Sequence, residues 1–307
     1  MRKQNSKFNT NFISEEGSSL KNSDFFAYAE LDNFACYVLA DGIEDVADSE
    51  SAKEAVESII AKFQEKPSIS KGKIHGYLKH ANEVLLKAEK YMKLKASIVV
   101  AVTDYENVRF GYAGNVRAKL YRNNKMFYKT IDTSLSSEMV SKEMISEDAL
   151  SRHEQRSNLY TFLGQKGFSP VISGKIKLVD TDILILYTKG VWENVSEGEI
   201  DNIFAESGKD PKDALLKVEA VLLDKNLGYI DNYTIAGIYI DKVFIESDTK
   251  KKKRRKLILI VSIASVVVIL GAIIALYFYK KYTKELKEDM NTHYEKMLKF
   301  IEMENYT

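Results

Sequence analysis

Two hydrophobic patterns divide the chain. Up to about residue 245, apolar positions come in short stretches, some with the two-residue period of strands and some with the three-to-four-residue period of helices. From 257 to 279 the chain reads LILIVSIASVVVILGAIIALYFY, unbroken by any charge. In the first region the pattern predicts strands at 25–31 and 34–40, then helices at about 49–63 and 74–93. Asp48 or Ser49 stands where the N-cap of the first helix is expected. Four β-rich runs follow (SIVVAVTDY, NVRFGYAG, RAKLYRN and KMFYKTI), broken by turn signals at Glu106-Asn107 and Asn123-Asn124. They read as one antiparallel meander. Residues 135–155 are polar and helix-like. Further strands are expected at 174–178, 183–187 and 233–240, and helices at 197–205 and 211–223. This order predicts an α+β fold with helices packed on antiparallel sheets.

The unbroken apolar run has a different meaning. As a helix rising 1.5 Å per residue it spans roughly 34 Å, enough for a hydrocarbon core of about 30 Å. Lipid offers the backbone no hydrogen-bond partners, so helix is the conformation expected. Tyr277, Phe278 and Tyr279 fit an interfacial aromatic belt. Lys250, Lys251, Lys252, Lys253, Arg254, Arg255 and Lys256 precede the run, whereas the residues after it mix both signs. The stronger basic flank places the N-terminal side in the cytoplasm and suits anionic lipid headgroups. The first residues lack the apolar core of a signal peptide. After the run, Tyr282, Leu286, Met290, Tyr294, Met297 and Ile301 recur at helical spacing as one apolar stripe. The expected organisation is a flexible segment 1–11, a domain 12–245, a basic linker 246–256, a transmembrane helix 257–279 and an extracytoplasmic tail 280–307.

Composition changes this picture little. A net charge of +1 gives no global reason to expect a nucleic-acid partner. The single cysteine, Cys36, lies in the apolar run FACYVLA and reads as a small core residue. No two of His75, His80, His153 and His293 are spaced to share a zinc ion.

Six short motifs carry the candidate chemistry. In order they are Asn22-Ser23-Asp24, Ala40-Asp41-Gly42, Gly114-Asn115-Val116-Arg117-Ala118, Thr161-Phe162-Leu163-Gly164, Thr188-Lys189-Gly190-Val191 and Asp231-Asn232-Tyr233-Thr234. In this order and spacing the set resembles the metal-dependent serine/threonine protein phosphatases of the PPM (type 2C) family, over about residues 12–242. The resemblance implies a four-layer αββα sandwich of two antiparallel sheets flanked by helices. It also implies two Mg²⁺ or Mn²⁺ ions at one end, which generate the hydroxide that attacks the phosphate. Asp41 would bridge the ions, the Gly42 carbonyl would bind one, Asp231 would hold the second, and Asp24 would lie in the outer acidic shell.

The departures from the family pattern cluster on that site. Lys189 stands where the family has a metal-ligating aspartate, and it brings donors and a positive charge where a dication should bind. Asn115 replaces the aspartate of G-D-S-R. The phosphate-gripping arginine expected upstream is absent, with Ser18-Ser19-Leu20-Lys21 in its place. Glu44, Asp45 and Asp48 are candidate substitute carboxylates. The reading is a membrane-anchored pseudophosphatase that needs no cofactor, with an ammonium between Asp41 and Asp231 and a membrane or cytoplasmic protein as partner. One alternative is an active phosphatase using Mg²⁺ or Mn²⁺. Another is a transducer sensing through its tail.

Overall fold

A computed structural model describes the chain apart from residues 1, 2, 4, 44–49, 89–92, 209, 226–227, 246–247 and 305–307. The chain divides into two units, Met1–Ile245 and Glu246–Thr307.

The first unit is a sandwich of two antiparallel sheets. One sheet has the order β1 (Lys7–Glu15), β11 (Tyr233–Lys242), β10 (Ile183–Tyr187), β6 (Arg117–Arg122) and β7 (Lys125–Lys129). The other has the order β2 (Asp24–Glu30), β3 (Ala35–Gly42), β4 (Ala96–Thr103), β5 (Asn107–Ala113) and β8 (Val171–Ile172), with β9 (Ile176–Lys177) also on β5. Helices α1 (Ser51–Glu65) and α2 (Lys71–Lys87) cover the second sheet. Helices α4 (Lys189–Trp192), α5 (Glu197–Ala205) and α6 (Pro211–Asp224) lie on the first, and α3 (Leu135–Ser141) leads into two short 3-10 turns. The α+β, four-layer arrangement expected from the sequence is therefore present.

Strand alternation builds three cores. In β3, Cys36, Val38 and Ala40 face α1 and α2, while Tyr37 and Leu39 face the other sheet. β4 repeats this with Ile98, Val100 and Val102 outward and Val99 and Ala101 inward. Both strands are covered on both faces, which is why they read as continuous apolar runs. Cys36 is a buried free thiol, as expected. Val191, Trp192, Ile200, Phe204, Leu215 and Val218 form the third core, on the outer face of the first sheet.

Four local expectations are corrected. Residues 7–11 are not a flexible lead but the first half of β1, paired with β11 along its whole length. An edge strand with one wet face tolerates the polar sequence NTN, and this hid the strand. The expected meander is split: β4 and β5 pair in one sheet, β6 and β7 in the other. The crossing is made at Gly114 (φ +96°), where a Cβ would lie 2.0 Å from Ser97 Oγ. α2 begins at Lys71 rather than 74, because the Ser70 side chain accepts from the Lys73 N–H. The helix expected over 135–155 is three short pieces. The expected N-caps Asp48 and Ser49, and the candidate carboxylates Glu44, Asp45 and Asp48, lie outside the described residues.

Among its described residues the second unit is one helix, α7 (Asp248–Glu304), which contains the basic run, the apolar run and the tail as far as 304. It is long and apolar enough to cross a membrane, with a mean hydropathy of 3.0 in its best window.

Candidate functional site

The period of the strands dictates where the site forms. Phe26, Leu39 and Val99 point into the space between the sheets, so Asp24, Asp41 and Ser97, each two residues away, share that face at the end of the sandwich. Register confirms it: Asp24 lies opposite Asp41, and Asp41 opposite Ser97. From the other sheet, Leu186 and Ala236 face inward, and so do Thr188 and Thr234 just beyond. Polar side chains thus collect where the apolar core between the sheets ends.

Thr188 joins the two sheets. Its hydroxyl donates to Asp24 Oδ2 (2.7 Å) and accepts from the Thr234 N–H (2.9 Å). Asn232 ties down the loop before β2, accepting from the Ser23 N–H (3.2 Å) and donating to the carbonyls of Glu16 (2.9 Å) and Lys21 (3.1 Å). α4 approaches this turn so closely that a Cβ on Gly190 would sit 2.0 Å from the Asn232 carbonyl oxygen. That contact fixes Lys189, at the first turn of α4, beside the start of β11.

The Lys189 ammonium lies 2.9 Å from Asp231 Oδ2, both side chains being partly exposed. Together with Asp41, Gly42, Asn115, Lys21 and Ser23 they line a cavity of about 630 Å³. The structure thus brings Asp24, Asp41, Gly42, Asn115, Lys189 and Asp231 to one place. Asn115 is held at three atoms: its side-chain oxygen accepts from Ser97 Oγ (2.7 Å), its backbone N–H donates to the same hydroxyl oxygen (3.1 Å), and its backbone carbonyl accepts from the Trp192 indole (3.0 Å).

Burial pushes Asp24 up to about 7, against the lowering effect of the Thr188 hydrogen bond, and Asp231 adds to the rise. Asp41 is raised well above the usual carboxylate range by burial and then by Asp24, with Lys189 opposing. Burial lowers Lys189, but Asp231, Glu193 and Asp41 outweigh it, so the ammonium is held above its ordinary value. Lys189 is thus a firm positive charge beside Asp231, within electrostatic reach of Asp24 and Asp41.

The donor set does not fit a two-cation centre. An ammonium occupies one carboxylate of the set, and the oxygen of Asn115 is neutral and committed to Ser97. Among the described residues no group of three or more His, Cys, Asp or Glu side chains is placed to hold a metal. At this site the buried Asp24 Oδ1 has no hydrogen-bond donor among the described residues.

No protein-family model matches the chain. The serine/threonine phosphatase stp of Listeria welshimeri is 27% identical over 157 residues. The match takes in 50% of this chain and 61% of the relative, so it spans about three fifths of that relative's length. Among solved structures, the serine/threonine phosphatase of S. agalactiae superposes with a TM-score of 0.66 at 19% identity, over 76% of this chain and 100% of that one. The fold is that of the PPM phosphatases. The catalytic domain of PstP, solved with two manganese ions, shares this PPM fold with a TM-score of 0.65 at 14% identity, over 76% of this chain and 98% of its own.

Sequence reading missed a second ionic cluster on the outer face of the PPM sheet. Arg117 pairs with Asp132 (2.6 Å) and Glu197 (2.6 Å) and stacks on Trp192, its guanidinium carbon 3.9 Å from the ring centre. Lys119, 1% exposed, pairs with Glu197 and, at 2.5 Å, with Asp201, which also accepts from the Tyr121 hydroxyl at 2.8 Å. The available signal was the alternation of RAKLYR, which puts Arg117, Lys119 and Tyr121 on one face and Ala118 and Leu120 on the other.

Proposed function

We propose that this chain is a divergent PPM relative that has given up two-metal hydrolysis and acts as a membrane-anchored regulatory or scaffolding protein. The ion pair between Lys189 and Asp231 carries this reading. An ammonium is a donor with no acceptor capacity, and it supplies inside the protein the positive charge that the family draws from a cation. The cavity keeps its shape through Thr188, Asn232 and Gly190, so it remains a surface for a protein partner. The helix α7 gives it a membrane anchor, with the phosphatase-like domain in the cytoplasm and the basic run at the lipid headgroups.

The test is calorimetric titration of the full chain, in detergent, with Mn²⁺, beside hydrolysis of a small aryl phosphate. Wild type is expected to bind no Mn²⁺ at millimolar concentrations and to leave the ester intact, whereas Lys189→Asp gains Mn²⁺ binding. Turnover by wild type would overturn the reading.

One observation favours a second reading, an active phosphatase with rearranged ligands. The unpartnered Asp24 Oδ1 is a buried acceptor awaiting a donor or a cation. Mn²⁺ binding by wild type that disappears in Asp24→Asn would support it.

A further inference from the structure

The second unit carries one side-chain pattern from end to end. The tail stripe of Tyr282, Leu286, Met290, Tyr294, Met297 and Ile301 continues backwards through Tyr279 to Ala275, Gly271, Val268 and Ala264. Ten steps of three or four residues lead from Ala264 to Ile301, an average of about 3.7, close to the 11-residue repeat of about 3.67 that gives a right-handed supercoil. Within the apolar part, Gly271 and Ala275 form a small-xxx-small pair on this same face, the spacing that lets two helices in lipid cross closely with a right hand. The two halves of the helix, in different solvents, thus ask for the same handedness.

Three further observations say what covers the face. Gly271 lies mid-helix, where glycine costs about 1 kcal/mol relative to alanine, and nothing lies within 4 Å of where its Cβ would be. The tail stripe is exposed at every position. Charges border the tail stripe with opposite signs on its two sides: Glu285 and Asp289 on one, Lys280 and Lys287 on the other, with Lys296 further along reversing the pattern. In a parallel twofold pair the acidic border of one helix meets the basic border of the other, whereas an antiparallel pair sets like against like. Chains inserted in one orientation can meet only in parallel and at equal depth.

We infer that α7 is a parallel homodimerisation helix, whose Ala264-to-Ile301 face packs against the same face of a second copy through the membrane and beyond it. This rests on the membrane-anchored reading above. Lys284 and Glu288, which pair with each other at 3.8 Å, lie on the opposite, outward face.

The experiment is oxidative cross-linking of the full chain in native membranes, with one cysteine added at a time and the wild type, whose Cys36 is buried, as baseline. Leu286→Cys, Met290→Cys and Met297→Cys are expected to yield at least about fivefold more dimer than Lys284→Cys, Glu288→Cys and Glu295→Cys. Adding Gly271→Leu to Met290→Cys is expected to cut its yield by about fivefold or more, while Val266→Ile, on the other face, leaves it unchanged. Equal yields around the helix, no dimer at all, or insensitivity to Gly271→Leu would overturn the pairing. Alkaline carbonate extraction of the same membranes separates the two readings. Release of the chain overturns the anchor itself, whereas retention with unphased cross-links overturns the pairing alone.

Discussion

The two ionic clusters of the sandwich make an instructive pair. Around Arg117 and Lys119, two cations face three carboxylates (Asp132, Glu197 and Asp201) through short contacts. Glu197 there is held below its ordinary value: burial would raise it, but Arg117 and Lys119 win. At the cavity Lys189 pairs with Asp231, and the buried Asp24 and Asp41 rise. Burial raises carboxylates in both places, and each group's own partners decide the outcome: Asp132, buried against Arg117, stays raised, whereas Glu197, touched by both Arg117 and Lys119, is lowered. The first cluster is a densely paired brace between β6 and α5. In the second, burial holds Asp24 at about 7 and keeps Asp41 above the usual carboxylate range.

The largest effect is expected from breaking the brace. Lys119→Met removes the buried cation between Glu197 and Asp201, which keep Arg117 and the Tyr121 hydroxyl as partners and are part-exposed, and should cost about 2–3 kcal/mol in denaturant unfolding. A loss below about 1 kcal/mol would show that the brace is not needed. Next comes pH. The folded-state value of Asp24 lies above its unfolded one, so the folded protein holds the proton more tightly and stability falls as pH rises from about 4 to about 7. In metal-free buffer the Tm of the sandwich unit should drop by about 5 °C between pH 5 and pH 8. Asp24→Asn should flatten that slope, and an unchanged slope would place the proton elsewhere. Lys189→Met should remove about 1 kcal/mol, a modest loss because the Asp231 pair is partly exposed, and should steepen the same pH dependence. The smallest effect concerns α5, whose capping box joins Ser196 and Glu199. Ser196→Ala should cost about 1 kcal/mol or less and leave the cavity's pH response untouched.

The motifs made most of the site legible in advance. Asp24, Asp41, Lys189 and Asp231 were each nominated from sequence, and they do come together. What the motifs did not convey was the role of Thr188 as the link between sheets, or the dense bonding of Asn115 to Ser97 and Trp192. Those depend on contacts between residues far apart in the chain, and hydroxyls and amides leave no periodic trace. The brace escaped notice because a lysine in a strand reads as solvent-facing. Only the docking of α5 brings Glu197 and Asp201 over Lys119 and makes it interior.

The sequence by itself determined the fully covered strands β3 and β4, the helices α5 and α6, and the apolar length of α7. In each case a local period or an unbroken run sets which faces must leave water. Tertiary structure alone decided the split of the expected meander between two sheets, the polar edge strand β1, and the charge balance of each cluster. Sheet membership is fixed by pairing at long range, and the protonation of a carboxylate is fixed by how deeply the fold buries it and which partners it then meets.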